Sequence, residues 1–279
     1  MAFRNVVAVV TDVARDRWAM DAAVGLARRE RGHLDLLCLG VDRTVPSFYY
    51  AGANAMAMQA SLAEAEKRAQ QTEKAVKKLM EGSDVAWAAC GFTAQLPGLG
   101  TLLAHHTRLC DIAVLPRPYG KDRGHEYEAI VEAELFDARI PVLVIPEKSA
   151  LPPVAARIVI AWNESREALN AVRAALPVLQ TASMVNIAIV DPPAHGPDRS
   201  DPGGALAQML SRHGVKADVS VLARTMPRVS EVIARHVADQ AADLLVMGAY
   251  GHSRIRESIL GGATRNILQN AQLPVLMAH

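Results

Sequence analysis

Two tandem copies of a doubly wound α/β domain, each with a five-stranded parallel sheet, are predicted by three features of the sequence. Short apolar runs of strand length alternate with longer segments whose apolar residues recur at helical spacing. The strands read as continuous hydrophobic runs, as strands covered on both faces by helices must. The same strand–helix order restarts near residue 158, and Asp111–Pro141 matches Asp243–Pro274 in length and pattern.

Each element has its own reason. Val6–Val10 is a first strand, ending at Thr11–Asp12. Ala19, Ala22, Ala23, Leu26 and Ala27 then mark one face of a helix over 15–31, with Gly32 placed to cap it. Leu34–Val41 is the second strand, 42–52 a loop, and Ala53–Met80 a long helix rich in good helix formers, its charges on a solvated face. Val85–Cys90, Leu96–His106, Ile112–Leu115, Glu126–Ala138 and Pro141–Ile145 continue the alternation. Glu147–Val154, with two prolines, is a linker, so the domains are expected at 1–148 and 155–279.

In the second copy Ile158–Ala161 is a strand and Glu167–Leu179 a helix with Leu169, Val172, Leu176 and Leu179 in register. Val185–Val190, the loop 191–204, a short helix over 205–213 and Ala217–Leu222 follow. Pro227–Ala241 reads as a helix with proline in its first turn. Leu244–Met247, a glycine loop, a helix carrying Ile267 and Leu268, and Pro274–Met277 complete the unit.

Bulk composition excludes several functions. A hydrophobic share of 51% against 21% charged supports a large core rather than disorder. A formal net charge of +1 and only 4% aromatic residues argue against a nucleic-acid surface or a base-stacking platform. Cys38, Cys90 and Cys110 are odd in number and widely spaced, which fits reduced thiols and neither a disulfide framework nor a zinc site. The opening MAFRNVVAVV has too short an apolar run for a signal peptide, and no run reaches the length of a membrane span. A cytoplasmic location without membrane association is expected.

The chemistry concentrates in DLLVMGAYGHSRIRESILGGATRNILQNAQLPVL, residues 243–276. Gly248, Gly251, Gly261 and Gly262 lie between a buried strand and a helix, and Thr264 adds a hydroxyl to the first helical turn. The first amides of a helix have no intrahelical partner, so a strand–glycine loop–helix unit offers them to an anion. Glycine lets the backbone approach such a ligand closely. His252, Arg254 and Arg256 bring positive charge to the loop; the alternative is that they are solvated loop residues. The pattern is neither the dinucleotide G-x-G-x-x-G nor a P-loop.

The spacing G-x2-G-x9-G followed by a hydroxyl resembles the nucleotide-binding signature of the universal stress protein (UspA) family, and the resemblance extends through the final Pro-Val-Leu strand. That family also occurs as tandem repeats, so the resemblance covers nearly the whole chain. It implies a Rossmann-like, adenine nucleotide alpha hydrolase-like fold, with ATP, in company with Mg²⁺, as the ligand. Ala161 and Asn163 would then stand at the end of the second copy's first strand. Val190 and Met247 would line the base. The backbone of Gly248, Gly251, Gly261, Gly262 and Ala263 would hold the phosphates, with His252, Arg254 and Thr264 beside them. Two positions depart from the family pattern. Asn163 replaces the usual aspartate, keeping hydrogen-bonding capacity without the charge, and Gly262 replaces a more usual serine.

Laid on the second copy, the first is degenerate. Pro116 stands at Gly248, Tyr119 near Gly251, and Glu128–Ala129 at Gly261–Gly262. Proline removes an amide donor, and a glutamate there repels phosphate. Asp12 keeps the strand-end aspartate but reads as a capping or loop residue.

No catalytic or metal-binding constellation is found. His105–His106 lack ligands at metal spacing, Ser165 and Ser230 read as helix caps, and no Ser-His-Asp set or Mg²⁺-binding acidic pair occurs. The sequence thus implies a nucleotide-binding regulatory module, able to form a homodimer or meet a protein partner. A slow ATPase and a nucleotide-free interaction scaffold remain as alternatives. The terminal strands of the two copies, 141–145 and 274–277, are expected to pair with each other, as terminal strands do in the family.

Overall fold

The computed structural model describes residues 3–43, 51–152, 156–192, 201–249 and 262–279, without the side chains of 51–55. The residues cluster into two compact units, one of 1–116 with 121–140, the other of 117–120 with 141–279.

The first unit alternates strand and helix: β1 (Asn5–Val10), α1 (Arg17–Glu30), β2 (His33–Asp42), α2 (Ala51–Met80), β3 (Ala86–Gln95), α3 (Leu99–Thr107), β4 (Ile112–Pro116) and α4 (His125–Glu132). A π-helical turn, Ala133–Ala138, extends α4. The strands form a parallel sheet in the order β3-β2-β1-β4, with helices serving as the crossover connections that parallel neighbours need. Val6, Val7, Val10, Ala113 and Val114 are wholly buried, and each buried valine contributes roughly 1.5–3 kcal/mol. Gly40 has a packing role: a Cβ there would overlap the Ala65 carbonyl oxygen, so its absence lets α2 rest directly on β2.

The second unit contains β5 (Val142–Ile145), β6 (Arg157–Ala161), α5 (Arg166–Leu179), β7 (Met184–Val190), α6 (Gly204–Arg212), β8 (Ala217–Leu222), α7 (Val229–Asp239), β9 (Leu244–Gly248), α8 (Ala263–Asn270) and β10 (Val275–Ala278). The parallel order is β10-β9-β6-β7-β8. β5 adds to its edge antiparallel to β10, with Val144 opposite Val275 and Val142 opposite Met277. The two proline-led terminal strands therefore do pair.

Local expectations hold to within a few residues, with three instructive exceptions. The left-handed residue ending α1 is Arg31, at φ 51°, and Gly32 follows it, donating its N–H to Ala27. β3 runs on to Gln95, because β2 offers a partner for every residue of it. Pro227 lies outside α7, whose N-cap is Arg228, so Ser230 sits inside the helix and caps nothing.

Candidate functional site

In an open parallel sheet the ligand crevice lies beyond the carboxyl ends of the strands, where neighbouring strands send the chain in opposite directions. In the second unit that switch falls between β6 and β9, since β6 leads to β7 and β8 on one side and β9 to β10 on the other. Ala161, at the end of β6, pairs with Met247 of β9 and Ala188 of β7. Beyond that pair β7 runs on to Val190 without β6 beside it, so its last peptide groups face the crevice.

The sequence-expected residues fall into three groups. Ala161, Val190, Met247 and Gly248 stand together at the strand ends, with Met247 buried. Gly248 allows close packing: a Cβ there would lie 2.5 Å from the amide nitrogen of Ala168 in α5. Gly262, Ala263 and Thr264 form the amino end of α8, with Gly262 as its N-cap and Thr264 buried. Gly251, His252, Arg254 and Gly261 lie outside the described residues, as does Arg256.

Asn163 is bound into the turn that follows β6. Its Oδ1 accepts the Ser165 N–H at 3.2 Å, and Ser165 Oγ accepts the Ala168 N–H at 3.1 Å as the N-cap of α5. The asparagine amide keeps its donor capacity, but its carbonyl serves the fold. Ser165 is the cap its position predicts. Ser230 is not: its Oγ is buried without a hydrogen-bond partner among the described residues.

The first unit treats the same place differently. Counted back from Pro141, Glu128–Ala129 do match Gly261–Gly262, yet they lie inside α4, which begins at His125 with Gly124 as N-cap. Counted from the helix start, Glu126 takes the place of Thr264. Glu126 is buried, its carboxylate covers the spot that a Cβ on Gly124 would need, and it pairs with Arg43. A helix amino end favours a negative charge, and here a side chain supplies it.

Beside it lies a buried network that no local sequence signal announced. Asp16 accepts the N–H groups of Thr11 and Asp12 at 2.8 and 3.0 Å and pairs with Arg123 at 2.9 Å, both side chains being almost fully enclosed. The Arg123 guanidinium also bonds the Arg15 carbonyl and lies 4.5 Å from the centre of the Tyr127 ring. Tyr127 meets Thr11 Oγ1 at 2.7 Å, and burial pushes its phenol up to about 12. Asp12 is the loop residue expected of it, its Oδ1 accepting the N–H groups of Ala14 and Arg15.

Elsewhere the described residues hold no metal-ligating group of three or more His, Cys, Asp or Glu. Among them no helix is long and apolar enough to cross a membrane.

The family model described as "Usp: Universal stress protein family" matches residues 128–279, more than half of the chain. Universal stress protein Slr1230 of Synechocystis sp. (strain ATCC 27184 / PCC 6803 / Kazusa) is 40% identical over 73 residues, 26% of this chain. That match spans 24% of the relative's own length. The crystal structure of a universal stress protein from Archaeoglobus fulgidus DSM 4304 superposes over 99% of this chain and 96% of its own, with a TM-score of 0.74 at 15% identity. A universal stress protein solved in complex with cAMP is 18% identical and covers 45% of this chain and 98% of its own, with a TM-score of 0.35. Over its tandem α/β fold and its matched C-terminal sequence, the chain belongs to the universal stress protein family.

Proposed function

We propose that the chain is a cytoplasmic, two-domain stress-response module, with domains 1–148 and 155–279, that binds one adenine nucleotide in the second domain. ATP with Mg²⁺ is the ligand, and the role is regulatory rather than catalytic. The observation that carries this reading is the contrast between the two helix starts. Both helices are glycine-capped, but a Cβ on Gly262 would meet no described residue within 4 Å, while the Glu126 carboxylate fills the corresponding space at Gly124. Val190 and Met247 would contact the base, the amides of Gly248, Gly251, Gly261, Gly262 and Ala263 the phosphates, and His252, Arg254 and Thr264 would add charge and a hydroxyl. Nucleotide occupancy would bias an interface, either between two copies of the chain or with a protein partner.

The test is to denature the purified protein, identify any released nucleotide by chromatography, and repeat it with Gly262→Glu. A Cβ on Gly262 meets nothing within 4 Å among the described residues, so that variant is chosen to place a carboxylate at the helix end. ATP or AMP released by the parent and absent from the variant supports the reading. ADP would point to slow hydrolysis. A second reading, a nucleotide-free scaffold, draws on the engagement of the Asn163 carbonyl in its own turn. It predicts no released nucleotide and no binding on titration with ATP and Mg²⁺.

A further inference from the structure

The first unit, although its helix start is filled, keeps a cavity of about 550 Å³ at the carboxyl ends of β1 and β2, within the range of small-molecule sites. Val13, Leu39, Val41 and Ala75 give part of its lining an apolar character. The register of β1 on β2 ends at Val10–Cys38, so β2 continues through Leu39–Asp42 with no strand on its β1 side. The peptide groups along that edge are open to a ligand.

Three arginines are among the residues lining this one cavity: Arg15 after β1, Arg43 after β2, and Arg68 on α2. Their present partners hold two of them weakly. Arg15 lies 4.0 Å from Asp12 and donates through Nη1 to the Asp122 carbonyl at 3.1 Å, its side chain nearly half exposed, and Arg68 pairs with Glu64 one helical turn away, both about half exposed. Such exposed pairs hold a side chain only weakly against a competing anion. Arg43 differs, because the buried Glu126 fixes it at the cavity wall through one of its five donors. Asp12, Gln71 and Thr72 add acceptors and donors suited to hydroxyl groups. Since Glu126 fills the helix amino end, no polyphosphate cradle is left, and the guanidinium groups suit one compact anionic group.

We infer that this cavity is a binding site for a small polyhydroxylated organic anion, a sugar acid or a sugar phosphate. Arg15, Arg43 and Arg68 hold the acidic group, and Asp12, Gln71 and Thr72 hold the hydroxyls. The site is separate from the nucleotide site proposed for the second unit, and neither depends on the other.

The test is calorimetric titration of the full chain with gluconate, glucose 6-phosphate, glucose, inorganic phosphate and ATP. At least one of the two sugar anions is expected to bind at one per chain, and the pair separates a carboxylate from a phosphate ligand. Glucose and inorganic phosphate should bind at least tenfold more weakly. Arg15→Ala and Arg68→Ala, both at exposed positions, should each weaken binding about tenfold or more at unchanged melting temperature. Gly262→Glu should leave sugar-anion binding unaltered while removing ATP binding. Absence of binding by both sugar anions overturns the inference, as does binding insensitive to the arginine variants. Inorganic phosphate binding as tightly as the sugar anions would overturn the role given to the hydroxyl groups. ATP displacing the sugar anion in the Gly262→Glu protein would overturn the ligand class.

Discussion

Strand β4 reaches α4 through Arg117–Gly124, whereas β9 reaches α8 through Ala249–Gly262, although both helices end shortly before a proline and a closing strand. In the first unit the positions that match Gly261–Gly262, Glu128 and Ala129, lie inside α4. The remaining connection is fastened by Arg123 to the buried Asp16, and the helix start is neutralised by Glu126. One fold thus satisfies the same electrostatic demand, a negative charge at a helix amino end, in two ways. A side chain meets it in the first unit, and in the proposed site of the second a bound anion would meet it.

Breaking the fastening should have the largest effect. Arg123→Ala leaves Asp16 buried with hydrogen bonds but no counter-charge, and should destabilise the first unit by about 3 kcal/mol. Segment-resolved hydrogen exchange reads this directly. Faster exchange confined to α1 and α4 is expected, and an effect below roughly 1 kcal/mol would mean that the pair is not what closes this connection.

A pH difference between the units comes next. Glu134, in the π-helical turn, is fully enclosed, contacts Thr107 Oγ1 at 2.6 Å through Oε2, and has no hydrogen-bond partner for Oε1 among the described residues. Thr107 also donates to the Leu103 carbonyl, so a protonated Glu134 can donate to the threonine in turn. Burial raises the carboxyl from 4.5 to about 7. Between those values the folded state holds a proton that the unfolded state has released, so stability falls as pH rises from about 4.5 to 7. The second unit has Ile267 at the matching distance from its proline. Glu134→Gln should therefore flatten the first unit's dependence over this window, by on the order of 1–3 kcal/mol, and leave the second unit unchanged. Urea unfolding at pH 5 and pH 7.5 measures it, and an unaltered slope in the variant would refute the assignment.

Two smaller changes sharpen the contrast in the second unit. Gly248→Ala sets a methyl 2.5 Å from the Ala168 amide nitrogen, which must push α5 from the strand end at a cost of about 1–3 kcal/mol. Nucleotide binding should weaken with it. Ser165→Ala removes the α5 cap and should cost about 1 kcal/mol. A thermal melt followed by the fluorescence of Trp162, with Trp18 and Trp87 replaced by phenylalanine in every protein compared, reports on both, because Trp162 lies between β6 and α5. Equal stability of parent and variants would remove the packing argument for the strand-end crevice.

The fold was legible because its strands are continuous apolar runs: IAVLP of β4 and LLVMG of β9 are almost wholly buried, and no amphipathic helix reads that way. β3 was cut short in the reading because its small and polar residues, AWAACGFTAQ, carry no such run, and only pairing with β2 defines its length. The candidate site was legible in part. Ala161, Val190, Met247 and Gly248 come together at the switch point because a parallel sheet leaves a ligand no other edge. The start of α4 was legible to within one residue, Glu126 against His125, but the carboxylate that fills it was not, since a lost glycine spacing does not say which side chain takes the helix end. The Asp16–Arg123 pair joins residues 107 apart in sequence, and no local pattern encodes it.

The most direct test of the account is the stoichiometry of ATP binding to the full-length chain, by calorimetry in the presence of Mg²⁺, with Gly262→Glu in parallel. One ATP per chain, abolished in the variant, is the predicted result. Two per chain, or one that survives the variant, would contradict the claim that the first unit has closed its helix start and the second has kept its own open.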